Sequence, residues 1–144
     1  MSEPTTLPDP QSLYVLDTHT WVWQLFNSQK LSKTVHAVLE AADLNQTQIL
    51  IPAVVLAEMS MIAQKQRVQG FQPQHLAVLV ATVHAHPAYS FGTLDIDLIL
   101  HSQRFTAIPD VFDRLIATET ATLGATLLTR DPVIIDSGLV QTLW

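Results

Sequence analysis

Asp17, Glu58, Asp113 and Asp131 stand where an open α/β sheet would gather four carboxylates at one edge. Oxygen donors collected in that way suit a hard divalent cation such as Mg²⁺ or Mn²⁺. Leu13-Tyr14-Val15-Leu16 is a short apolar run of the kind a buried parallel strand shows, and Asp17 follows it at the strand's carboxyl end. Ile49-Leu50-Ile51 stops at Pro52, whose fixed φ suits a helix start, and Glu58 falls in that helix's second turn. A later helix opens at Pro109-Asp110, with Phe112, Leu115, Ile116 and Leu123 at helical spacing, so Asp113 lies in its first turn. Gly124 closes that helix, Ala125 to Thr129 reads as another buried strand, and Asp131 lies just past it.

Each acid alone has a structural reading. Asp113 can favour a helix N-terminus, and Asp131-Pro132 can start a turn. Glu58 resists such an account best, because it shares a helical face with Val54, Val55, Met59 and Ile62, where a carboxylate is rarely buried unless paired or metal-bound. The coincidence of all four is what points to a site.

The elements that must position these acids alternate. Strand 13–16, helices near 20–27 and 31–43, strand 49–51 and a long helix 53–67 imply a parallel sheet. Helices at about 74–85 and 94–103 flank a strand at Tyr89-Ser90-Phe91, and Val140 to Leu143 forms a final edge strand. The fold class expected is α/β, a three-layer α/β/α sandwich around a mostly parallel sheet, with Ala-rich, weakly charged crossover helices on both faces.

At 144 residues the chain fits one domain over 13–144 and leaves no room for a second. Residues 1–12 carry Pro4, Pro8 and Pro10 among polar residues and read as a flexible tail without the basic and apolar regions of a secretory signal. The 48% hydrophobic and 14% charged content excludes a disordered chain. The longest apolar stretch, Leu76 to Val83, is far short of the roughly 20 residues of a membrane span, so no membrane association is expected. The absence of cysteine removes disulfides, thiolate ligands and a cysteine nucleophile, and is compatible with a reducing cytoplasm, the expected location.

A formal net charge of −6 argues against a broad non-specific nucleic-acid binder but not against a nuclease, since a bound divalent cation inverts the potential that a phosphodiester meets. Lys65, Arg67, Arg114 and Arg130 lie near the proposed acids and can be read as phosphate contacts or as solvated surface charge. The four glycines are isolated, so no phosphate-binding loop or nucleotide cofactor is expected. His84 and His86 point to different helix faces, and His19 is better read as a packing or hydrogen-bonding group than as a ligand of a hard cation. Trp21, Trp23 and Phe26 read as filling a core or subunit contact. A haloacid-dehalogenase-type phosphatase needs a second Asp two residues after the first, and His19 stands there.

Pro109-Asp110-Val111-Phe112-Asp113-Arg114-Leu115-Ile116-Ala117, followed by Gly124 to Asp131, resembles the "DPFDRLIA" segment of the PIN-domain ribonucleases, in particular the VapC-type toxins of toxin–antitoxin pairs. Leu16-Asp17-Thr18-His19-Thr20 and Ile51-Pro52-Ala53-Val54-Val55-Leu56-Ala57-Glu58 are similar to that family's first and second acidic motifs. The likeness runs from about Leu13 to Trp144, and the family's acidic quartet falls on Asp17, Glu58, Asp113 and Asp131. Ile108 stands where the family often has His, Val111 replaces its usual proline, and nothing carries over between Gln66 and Ala88.

The resemblance implies an Mg²⁺- or Mn²⁺-dependent endoribonuclease that hydrolyses RNA phosphodiester bonds to 5′-phosphate and 3′-hydroxyl ends, with a cognate antitoxin and a homodimeric state. Asp17 and Asp113 are the first expected metal ligands, Asp131 binds directly or through water, and Glu58 binds metal or accepts the attacking water's proton. Thr18 and Thr129 can supply hydroxyls that support the carboxylates. Two alternatives stand beside this: a housekeeping PIN-type RNA-processing nuclease, and a catalytically silent module whose acidic crevice anchors a partner.

Overall fold

A computed structural model describes residues 12–144. The tail expected over 1–12 lies outside the described residues except for Ser12, whose carbonyl accepts a hydrogen bond from the Gln48 N–H at 3.0 Å. Five strands, β1 (Leu13–Leu16), β2 (Gln48–Ile51), β3 (Tyr89–Phe91), β4 (Thr126–Leu128) and β5 (Gln141–Leu143), form one sheet in the order β3-β2-β1-β4-β5, with every pairing parallel. Helices α1 (Thr18–Phe26), α2 (Lys33–Asp43), α3 (Ala53–Gln64), α4 (His75–Ala85), α5 (Ile96–Ser102), α6 (Val111–Thr122) and α7 (Pro132–Ser137) flank it. This is the α/β/α sandwich that the alternation of elements predicts.

β1 is the central strand, with Val15 in register with Leu50 on one side and Leu127 on the other. Val15, Leu16, Ile49, Ile51, Leu127 and Leu128 are wholly buried, as strands covered by helices on both faces require. The chain passes outward from β1 to β2 and β3, then returns to place β4 against the other side of β1. The strand order therefore reverses between β1 and β4, and the crevice outside their carboxyl ends is where an open α/β sheet binds its ligands.

Several boundaries differ from the sequence reading, each for a local reason. α1 begins at Thr18 because Asp17, extended at φ −76 and ψ 158, serves as its N-cap. α2 begins at Lys33, after a 3₁₀ turn at Ser28–Lys30, where Ser32 Oγ accepts the Val35 N–H. α3 stops at Gln64 rather than 67, since Gln66 takes a positive φ of 51°. Pro132 opens a real helix, α7, with Asp131 as its cap, where the sequence reading saw only a turn. Gly124, at φ 61°, ends α6 with the Ala125 N–H bonded to the Thr120 carbonyl and its own N–H to that of Ala121, a left-handed closure that favours glycine.

The aromatic start of α1 divides its work. Trp21 is buried and meets the edge of Phe91, Trp23 packs on Trp144 and His19, and the half-exposed Phe26 lies 5.1 Å from the Phe71 ring.

Candidate active site

The four acids arrive at the switch point from four elements: Asp17 from the end of β1, Asp131 from just beyond β4, Glu58 from α3 and Asp113 from the first turn of α6. Asp17 is 3% exposed, and its oxygens are held by the fold. Oδ1 accepts the Thr18 N–H at 2.8 Å, while Oδ2 accepts the Thr129 hydroxyl at 2.6 Å. Thr129 Oγ1 in turn accepts the Asp131 N–H at 3.1 Å, so one buried hydroxyl ties two of the four acidic positions together. Ordering that one hydroxyl costs rotamer entropy once and fixes both neighbours.

Thr18 Oγ1 donates to Glu58 Oε1 at 2.8 Å. Thr18 and Thr129 thus take the supporting places that the sequence suggested for them. His19 also behaves as a hydrogen-bonding group: Nδ1 lies 3.3 Å from Asp17 Oδ2, and Nε2 accepts the Arg130 N–H at 3.1 Å. An acceptor at Nε2 places the proton of the neutral ring on Nδ1, facing Asp17.

The electrostatics bind Asp113 to the set. Burial, followed by the charges of Asp17, Asp110, Asp131 and Glu58, raises the Asp113 carboxyl from 3.8 to about 7. Glu58 is also raised, first by burial, with Asp17 and Asp110 adding and the Thr18 hydrogen bond opposing. Asp110 is a fifth acid, which the sequence reading placed only at a helix start. It caps α6 by accepting the Asp113 N–H at 3.0 Å. The signal was its spacing, three residues before Asp113, which makes the two carboxyls neighbours around one helix start.

These carboxylates suit a hard cation in donor type, and their mutual repulsion is what a cation would relieve. Among the described residues no three His, Asp or Glu side chains stand together closely enough to hold a metal ion as placed. Mg²⁺ usually keeps several waters and takes one or two carboxylates, so the arrangement fits a partly hydrated ion.

The basic residues do not behave alike. Arg114 Nε donates to the Ile108 carbonyl at 2.9 Å and its terminal nitrogen to that of Pro109 at 3.3 Å, so its guanidinium clamps the loop before α6. That loop contact gives Arg114 a role the sequence did not suggest. Lys65 and Arg67 line a small hollow with Glu58, and Arg130 lines an open depression with His19, Trp23 and Asp131. Both remain positioned beside the crevice. His84 is exposed at the end of α4, and His86 Nε2 lies 3.5 Å from Asp43, remote from the acids.

The PIN domain family model matches residues 14–136. No curated protein sequence matches the chain. Among solved structures, VapBC2 from Rickettsia felis bound to a DNA fragment from its promoter is similar at a TM-score of 0.64 and 17% identity, covering 91% of this chain and 97% of that one. VapBC-1 from nontypeable Haemophilus influenzae gives a TM-score of 0.65 at 14% identity, covering 91% and 96%. Mycobacterium tuberculosis VapC20, a Sarcin-Ricin loop cleaving toxin, gives 0.59 at 16% identity, covering 90% and 98%. With most of its length matched by the family model and its acids at the switch point of the corresponding fold, this chain belongs to the PIN-domain family.

Proposed function

We propose that this protein is a metal-dependent endoribonuclease, the toxin of a toxin–antitoxin pair, acting through Asp17, Glu58, Asp113 and Asp131. The observation that carries the reading is that four carboxylates from four elements lie at the β1/β4 switch point, with Asp17, Glu58 and Asp131 tied together through Thr18 and Thr129. The similarity to VapBC pairs and to a toxin that cleaves the Sarcin-Ricin loop supports the toxin assignment and RNA as substrate.

Asp17 and Asp113 would hold Mg²⁺ or Mn²⁺ directly, with Asp131 joining directly or through water. When bound, the ion supplies a water of lowered pKa and stabilises charge developing on the phosphate. Thr129 and His19 keep Asp17 in one orientation, so the site needs little rearrangement to accept a cation. Glu58, raised by burial yet steadied by the Thr18 hydroxyl, is suited to take the proton of an attacking water. Lys65, Arg67 and Arg130 flank the acids and would meet flanking phosphates.

A cognate antitoxin would cover this crevice with a basic residue, because a guanidinium fork pairs bidentately with carboxylate. Homodimerisation has apolar surface available: on α5, Ile96 is 75% and Leu100 56% exposed. The test is cleavage of total cellular RNA, and of a Sarcin-Ricin loop hairpin, by purified protein with Mg²⁺ or Mn²⁺. The expected result is cleavage that EDTA and Asp17→Asn both abolish. Cleavage that survives Asp17→Asn would remove the proposed site, and RNA binding without turnover would favour the silent module.

A further inference from the structure

A cleft of about 420 Å³ opens between α5, α6 and the end of β3, lined in part by Leu50, Phe91, Asp95, Asp97, His101 and Glu119. None of the four crevice acids lines it. Glu119 follows Asp113 by six residues on α6, about 9 Å along the helix and rotated to a different face. It occupies the helix's apolar stripe, one turn beyond Leu115 and Ile116 and one before Leu123, and is only 8% exposed. Its carboxyl group lies against the Gly92 backbone, where any Cβ would collide with it. Among the described residues no group donates a hydrogen bond or an ion pair to it, and burial, then the charge of Asp95, pushes it up to about 7. Its carboxyl oxygens reach the water of the cleft and are not sealed beneath it, so an occupant carrying a positive charge would meet them directly.

We propose that this cleft is a binding site for a small organic cation, an alkyl guanidine or amine, whose head meets Glu119 and whose stem lies along Leu50, Phe91 and Leu98. The volume falls within the roughly 300–1,000 Å³ of small-molecule pockets, and apolar walls with a few polar groups are their usual character. Asp95 and Asp97 add negative charge to the wall, with His101 as its one basic side chain. A bare divalent ion would leave the cleft's apolar walls of Leu50, Phe91 and Leu98 unused. A planar guanidinium instead carries its own bulk, pairs with one carboxylate through two N–H groups and stacks on an aromatic face such as that of Phe91.

The probe is agmatine, titrated calorimetrically into the intact protein in EDTA at about pH 8, where carboxylates are ionised. Wild-type protein binds it, and 1,4-butanediol, which lacks the charge, does not. Glu119→Gln weakens binding roughly tenfold or more, the size of a charge-assisted hydrogen bond, while Asp113→Asn leaves it unchanged. A thermal melt checks that each variant folds. Asp97→Asn, at an exposed wall position, supplies a second variant and lowers affinity about threefold. Absence of binding by the wild type at millimolar agmatine, equal affinity for Glu119→Gln, or loss of binding in Asp113→Asn would each overturn the proposal. The last result would place the cation in the acid crevice instead.

Discussion

Replacing Asp113 with Asn removes a carboxyl that burial, and then the repulsion of the other crevice acids, keeps protonated, and its effect on the metal-free protein follows from linkage. In the folded chain the group holds its proton up to about 7, against 3.8 when unfolded. The folded state therefore binds more protons between those values, and stability falls as pH rises through that window, with the loss complete above about pH 7. At full strength this amounts to about 4 kcal/mol. Asp113 is only partly shielded from water, so screening reduces the figure to about 1–2 kcal/mol. For a domain of this size that corresponds to a rise in Tm of about 3–6 °C for Asp113→Asn at about pH 8.

The assay is a set of thermal melts of wild type and Asp113→Asn in EDTA across about pH 4 to pH 8, spanning the window in which the folded and unfolded proton affinities differ. Near the acid end the two proteins melt together, because a protonated Asp and an Asn carry the same charge. The gap then opens in favour of the variant as pH rises. Added Mg²⁺ or Mn²⁺ closes it by raising the wild type alone, through preferential binding to the folded state. A gap that is constant with pH, or a variant that melts below the wild type at the alkaline end, would refute the electrostatic account of the crevice.

Thr129→Val keeps the side chain's shape but leaves Asp17 Oδ2 and the Asp131 N–H without the hydroxyl they share, so stability drops by about 1–3 kcal/mol in a urea titration and RNA cleavage falls with it; an unchanged midpoint would mean that water replaces the hydroxyl. Glu58→Gln distinguishes ligand from base: as a base it lowers the cleavage rate by roughly 10²–10⁴-fold with little change in the Mg²⁺ dependence, whereas as a ligand it weakens that dependence markedly. No effect on either quantity would make Glu58 structural. Thr18→Val removes the hydrogen bond that opposes the rise in the Glu58 pKa, so the acid limb of the kcat/KM profile moves to higher pH and activity is lost sooner on acidification; a limb that moves the other way contradicts the base assignment.

What could be read from the chain and what could not divide along a physical line. Strand ends and helix starts are written locally, in apolar runs that stop and in proline or acidic residues that follow, so the places of Asp17, Glu58, Asp113 and Asp131 were legible. Roles set by which way a side chain turns were not. Arg114 next to Asp113 suggests a phosphate contact, yet its guanidinium turns back to the Ile108 and Pro109 carbonyls, and nothing in the local sequence marks those as its acceptors. The end of α3 was missed because Gln66 takes a left-handed conformation without being Gly or Asn. Helix α7 was missed because Asp-Pro announces a turn and a helix start equally well.

Glu119 is the instructive exception, since its signal was present and local. It sits in the same stripe as the buried Leu115 and Ile116, and a carboxyl there is as anomalous as Glu58 among Val54, Val55 and Met59. The two differ in what the fold then supplies. Glu58 receives a hydroxyl from Thr18 and joins a set of acids at the switch point, whereas Glu119 receives no donor among the described residues and faces a cleft. An acid on an apolar stripe therefore identifies a place where ordinary packing has been given up, and the neighbours that the fold brings to it decide what that place can bind.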